Sequence, residues 1–238
     1  MAAFMPDLSV EATLFEAGAE VVVGLDEVGR GAWAGPVSVG AVAISSLTPQ
    51  PEGVRDSKAL SATARRRLAP LVDDWALSAS VGHASHHECD QLGMTLAISL
   101  AASRALDALG FIADGAIIDG PVDLLRASDD RLGDLVAGHR WRLQPPRLIE
   151  AVIKADQRCA TVAAASIVAK VTRDALMAEA SASFPPFDFE RNVGYPSPVH
   201  QRALRGYGLT SIHRRSWSFV ESVPWMTSPA SDVEASGR

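Results

Sequence analysis

The sequence is poor in the features that mark several common protein classes. Among 238 residues stand only two cysteines, Cys89 and Cys159, far apart and outside any C-x-x-C pair. That excludes a disulfide framework or a structural zinc knuckle and suits a reducing cytoplasm. No stretch approaches the roughly 18–20 uninterrupted apolar residues of a spanning helix, and the first residues lack the positive charge of a secretory leader. A cytoplasmic protein with no membrane association is expected. A basic surplus is missing too: 28 acids face 22 Lys and Arg, for a net charge of −6, which argues at first against a polyanionic partner. The distribution changes that. Asp7, Glu11, Glu16 and Glu20 stand in residues 1–20 with no Lys or Arg, and residues 227–238 hold Asp232 and Glu234 against Arg238, so about five of the six surplus charges are terminal. If four acids of the body bind metal, local basic patches remain available.

What is present suffices for one sizeable core, with 47% hydrophobic residues. The expected organisation is an N-terminal extension over 1–19, one domain over 20–222 and a small polar tail over 223–238 that lacks the apolar surface to order itself. Apolar runs predict strands at about 20–26, 37–45, 75–84, 115–119 and 148–153. Helical patterns follow Ser61, cover Met94 to Leu109 and run from Gln157 to Ala182, where Ala163, Ala164, Ala165 and Ser166 let a helix lie close to a sheet. These elements predict an α/β sandwich. The connection 27–36 is too short for a helical crossover, so part of the sheet is antiparallel.

Aspartate is depleted within strands, yet Asp26 ends VVVGL, with Glu27 beside it, and Asp119 ends GAIID. Each Asp could simply open a turn before Gly. The doubled charge of Asp26 and Glu27 weakens that explanation, and carboxylates meeting at strand ends repel unless a hard cation sits between them. Asp156 reads equally well as a helix first-turn acid or as a further ligand of a two-metal site. Gly29-Arg30-Gly31 follows the acidic pair. Glycines admit close approach of a sugar or phosphate, and Arg30 supplies charge. The segment does not space its glycines as G-x-G-x-x-G, which disfavours a dinucleotide loop. His83, His86, His87 and Cys89 suggest zinc, but the spacing is that of no recognised closed site.

Taken in order, GLDEVGRGAWAGPV at 24–37, DSKAL at 56–60, IIDG at 117–120, IKADQRCATVAAASIVAKVTRD at 153–174, GYPSPVHQRAL at 194–204 and HRRSWSF at 213–219 resemble the ribonuclease HII family. The resemblance implies a ribonuclease H-like fold, with a central five-stranded mixed sheet flanked by helices and a helical C-terminal portion. It implies four acids, Asp26, Glu27, Asp119 and Asp156, holding two Mg²⁺ or Mn²⁺ ions. It implies that Gly29, Arg30 and Gly31 read a ribose 2′-hydroxyl and that Tyr195 packs against the next sugar. The implied activity is hydrolysis of the RNA strand of RNA–DNA hybrids and incision 5′ of single ribonucleotides in duplex DNA; a monomer is expected. Ala155 stands where the family usually has Gly, a substitution that would strain a position of positive φ. Lys58 is expected near a phosphate, and Lys154 either there or at the surface. His200 and His213 are expected as structural hydrogen-bonding residues, and Cys159 as a small packing residue. Trp33, Trp75, Trp141 and Trp225 are expected to pack. Arg202, Arg205, Arg214 and Arg215 each read as solvated charges that together could steer a polyanion.

Overall fold

The computed structural model describes residues 5–120, 125, 132, 135 and 146–224. The expected disordered tail, from 225 on, and Trp141 and Trp225 lie outside them. Five strands, β1 (Val22–Val28), β2 (Val37–Ile44), β3 (Ser78–Ala84), β4 (Gly115–Asp119) and β5 (Leu148–Val152), form one sheet in the order β3-β2-β1-β4-β5. β1 runs antiparallel to β2 and β2 to β3, as the short 27–36 connection requires, while β1, β4 and β5 are mutually parallel. β2 is buried along its whole length and β1 along all but its last two residues, as expected for central strands covered on both faces.

Alternate residues of β1 serve opposite layers. Val23 and Leu25 join the core built on helix α4 (Met94–Ala108), whose own approach to β3 is close enough that a Cβ on Gly82 would lie 2.1 Å from the Ala101 carbonyl oxygen. Val22 faces the other layer, formed by the long helix α5 (Ala160–Ser183) together with α1 (Ser9–Glu16), while Val42 and Ile44 of β2 pack into the same layer, where α2 (Ala62–Trp75) also lies. The alanine-rich stretch of α5 seats directly on backbone. A Cβ on Gly24 would meet Thr161 and Val162 backbone at 2.5 Å, and one on Gly40 the Ala165 oxygen at 2.3 Å. Small residues on both partners therefore set how near the helix lies to β1 and β2. α3 (His86–Leu92) opens with a capping box between Ser85 and Glu88.

Of the extension expected over 1–19, the described residues 5–19 are bonded to the domain. Asp7 N–H donates to the Arg158 carbonyl at 3.1 Å, and Ala160 N–H to the Asp7 carbonyl at 2.9 Å. Glu11 is fully buried, and its Oε1 accepts from both the N–H and the hydroxyl of Thr161 at 2.8 Å. α5 has no side-chain cap from its own N-cap residue, Cys159, so Glu11 serves its first turn from a distant segment.

The C-terminal portion holds α6 (Pro198–Tyr207) and a separate aromatic cluster with Met177, Phe187, Phe189 and Phe219. Trp33, from the 29–36 loop, stacks on Phe219 at 4.2 Å between centroids and ties that loop to the cluster.

Candidate active site

The three parallel strands bring their C-terminal ends to one edge of the sheet, the usual place for a site in an open α/β sheet. Leu25 is in register with Ile118, so Asp26 and Asp119 follow side by side, and Asp119 pairs with Val152 of β5. Two residues later Lys154 adopts a left-handed conformation, φ 57°, and a single turn of 3-10 helix, Ala155–Gln157, delivers Asp156 to the same edge. The strained position expected at Ala155 thus falls on Lys154. Ala155 is fully buried, and its N–H donates to Asp119 Oδ1 at 2.7 Å, coupling the two acidic segments.

Asp26, Glu27 and Asp119 line one depression with Leu25, Val39, Ile98 and Ile118. Asp26 and Asp156 are buried, 6% and 3% exposed. Burial, and then the charge of Glu27, hold the Asp26 carboxyl well above the usual carboxylate range, with Asp119 and Asp156 adding to the effect. Burial raises Glu27 as well, against the opposing charge of Arg30, whose Nη1 lies 3.7 Å from Glu27 Oε1. Asp156 is raised by burial and by Asp56, although Lys58 Nζ donates to its Oδ2 at 3.2 Å. Burial lowers the Lys58 ammonium, but Asp26 and Asp156 overcome this and raise it.

These residues suit hard divalent cations. The donors are all carboxylate oxygens, the Asp26 carboxylate accepts no hydrogen bond among the described residues, and like charges crowd a buried rim where only protons or cations relieve them. The rim is open: among the described residues no three acid, cysteine or imidazole side chains close on a common point. An ion there would take one or two carboxylates and complete its shell with water and phosphate oxygens, the habit of Mg²⁺. The same observation gives no support to zinc at His83, His86, His87 and Cys89. His83 instead shares a 2.7 Å hydrogen bond with Ser38, and Cys89 is a buried packing residue.

Beside the acids, Gly29 (φ +86°), Arg30 and Gly31 begin the loop to β2, and a Cβ on Gly31 would stand 3.6 Å from Tyr195 Cε1. The residues expected to read a sugar are therefore neighbours, although 164 residues of sequence separate Gly31 from Tyr195.

The ribonuclease HII family model matches residues 23–220. The chain belongs to the ribonuclease HII family. A ribonuclease HII from Streptomyces avermitilis is 47% identical over 207 residues, 87% of this chain and 81% of that protein. One from Thermus thermophilus is 41% identical over 86% of this chain and 89% of that protein. The crystal structure of ribonuclease H2 from Pyrococcus horikoshii superimposes with a TM-score of 0.64 at 27% identity, covering 85% of this chain and 96% of that one. Ribonucleases HII are metal-dependent endoribonucleases that act on RNA–DNA hybrids, and this chain is a ribonuclease H-type endonuclease with the corresponding fold. No helix among the described residues is long and apolar enough to cross a membrane.

Arg214, read from sequence as a solvated charge, is instead a structural residue. His213 and Arg214 are fully buried, whereas Arg202, Arg205 and Arg215 are exposed. His213 Nδ1 accepts the Thr210 N–H at 2.9 Å, so its proton resides on Nε2 and is donated to His200 Nε2 at 2.8 Å. His200 must then carry its proton on Nδ1, which donates to the Tyr195 carbonyl at 2.9 Å. This neutral relay fixes the backbone of Tyr195. Its sequence signal was only one histidine in the first turn of α6 and another beyond its end, and nothing marked them as paired.

Proposed function

We propose that Asp26, Glu27, Asp119 and Asp156 hold two Mg²⁺ or Mn²⁺ ions, and that the enzyme incises 5′ of a ribonucleotide, in an RNA–DNA hybrid or singly embedded in duplex DNA. The observation that carries this reading is that Asp26, Glu27 and Asp119 line one depression at the C-terminal edge of the parallel strands, with Asp156 tied to Asp119 through the Ala155 N–H, beside the Gly29–Gly31 loop and Tyr195. When bound, the ions supply Lewis acidity that lowers the pKa of the attacking water and offsets charge on the departing 3′-oxygen, leaving a 3′-hydroxyl and a 5′-phosphate.

The chain's own residues perform the selection. Arg30 and Gly31 are exposed, so their backbone is available to a ribose 2′-hydroxyl, the one group that tells RNA from DNA at a given position. Tyr195 is more than one-third exposed and able to pack against the neighbouring sugar. Arg30 and Lys58, both exposed at the rim, engage phosphate oxygens. The protein works as a monomer in the cytoplasm. The test offers a DNA duplex containing one ribonucleotide, with Mg²⁺, Mn²⁺ or chelator, to the enzyme and to Asp119→Asn. A single 5′-side nick that requires metal and is lost in the variant is expected. Equal cutting of an all-DNA duplex overturns the reading.

A further inference from the structure

Arg173 of α5 and Arg214 are the two largest side chains among those fully buried in the described residues. Neither pairs with a carboxylate among those residues. Arginine is almost never fully buried without a partner, and it persists only where its donors are satisfied. Here backbone carbonyls satisfy them. Arg214 donates from Nη2 to Gly29 at 2.7 Å, from Nη1 to Arg30 at 2.9 Å and from Nε to Gly35 at 3.2 Å. Arg173 donates from Nε to Pro36 at 2.9 Å, from Nη2 to Ala34 at 3.3 Å and from Nη1 to Val193 at 2.9 Å. Five of these six bonds fall on one loop, 29–36, and the sixth lies two residues before Tyr195. The Arg173 guanidinium also stands 5.9 Å from the centre of the Tyr195 ring.

The direction of these bonds has a geometric consequence. In a trans peptide the carbonyl of one residue and the N–H of the next point opposite ways, and the described residues contain no cis bond. Drawing the Gly29 and Arg30 carbonyls inward turns the N–H groups of Arg30 and Gly31 outward. Neither N–H has a backbone acceptor among the described residues. The loop can sink this far because Gly29 has no Cβ, which would otherwise lie 2.2 Å from Arg173 Nε.

We propose that Arg173 and Arg214 are positioning residues for ribonucleotide selectivity. Without touching substrate, they present the Arg30 and Gly31 amides as a donor pair beside Tyr195. This rests on the reading that the Gly29–Gly31 loop recognises the ribose. Lysine has three donors, but all on one nitrogen, and cannot reproduce the planar fork with which Nε, Nη1 and Nη2 reach separate carbonyls. A displaced loop should matter most where a single position is productive. A uniform RNA strand offers a 2′-hydroxyl at every step and tolerates the displacement better.

The test measures kcat/KM on a duplex with one embedded ribonucleotide and on a uniform RNA–DNA hybrid, well below each variant's melting temperature. Arg214→Lys and Arg173→Lys are compared with Val72→Ala, a core change under α2 that lowers stability away from the loop. The arginine variants are expected to lower the embedded-to-uniform ratio about ten-fold or more, while Val72→Ala leaves it unchanged. An unchanged ratio in the folded arginine variants overturns the inference alone. Should Arg214→Lys not fold, the ratio in Arg173→Lys decides. A wild-type enzyme that ignores the embedded ribonucleotide overturns the functional reading, and this inference with it.

Discussion

Glu11 caps a helix that belongs to another part of the chain, and its replacement separates hydrogen bonding from charge. Its Oε1 receives two donors from Thr161, while its buried Oε2 has no partner among the described residues. Burial raises the Glu11 carboxyl above the ordinary glutamate value, against the two Thr161 bonds. Glu11→Ala leaves the Thr161 N–H without an acceptor in the first turn of α5. An unsatisfied buried donor costs about 1–3 kcal/mol and loss of a cap about 0.5–2 kcal/mol, partly the same quantity, so a loss of about 2–3 kcal/mol is expected. For a chain of this length that corresponds to a fall of roughly 4–12 °C in melting temperature. Glu11→Gln keeps the accepting oxygen and removes the buried charge, so its stability at neutral pH should stay within about 1 kcal/mol of wild type. The pH dependence distinguishes the two effects. Because the folded pKa is raised, the wild-type group favours folding most at pH below its unfolded value, and this contribution fades as pH rises through the folded value. Urea denaturation between pH 4 and 8 should therefore show Glu11→Gln gaining on wild type as pH rises. Parallel curves for the two proteins, or no loss in Glu11→Ala, would refute the assignment of Glu11 as a buried cap.

Further outcomes follow from the rim, the helix seat and the histidine relay. Lys58 lowers the proton affinity of Asp26 and Asp156, so Lys58→Met should move Mn²⁺ binding, followed by calorimetry, to higher pH; an unchanged pH profile would show that Lys58 does not couple to the acids. Gly40→Ala drives a methyl to 2.3 Å from the Ala165 oxygen and should cost about 1–3 kcal/mol by overpacking α5 against β2, an expectation that an unaltered urea midpoint would contradict. Burial, with His200 beside it, pushes His213 down to about 3. Its stabilising contribution is complete above the ordinary imidazole value near pH 6.5 and declines as pH falls towards the folded value, by up to about 1.4 kcal/mol per pH unit. His213→Asn should lose that part of the acid slope, and equal slopes between pH 7 and 5 would count against the neutral relay.

Adjacent letters show where the sequence stops being legible. All five strands stand within a few residues of where apolar runs placed them, and the central three, β1, β2 and β4, do so because strands buried on both faces leave continuous hydrophobic signatures. The alanines of α5 announced a close helix–sheet contact, and Gly24 and Gly40 are its other half. The acids could be singled out because a charge closing an apolar strand contradicts its surroundings, and such conflicts concentrate at functional sites. His213-Arg214-Arg215 offers no such contradiction. A charged run is ordinarily a solvated face, yet Arg214 is fully buried and Arg215 exposed. The difference is decided by carbonyls 184 and 185 residues away. No local periodicity encodes them, since a carbonyl is the same at every position and only the fold determines which ones lack partners. Glu11 went unread for the complementary reason: it is an acid in an acidic segment, and its partner is a backbone N–H 150 residues on. In this chain Asp26, Glu27 and Asp119 were visible as local anomalies, whereas Asp156 read equally well as a first-turn acid. The groups that hold the 29–36 loop and the N-terminal helix were not, because they act on backbone, which carries no sequence of its own.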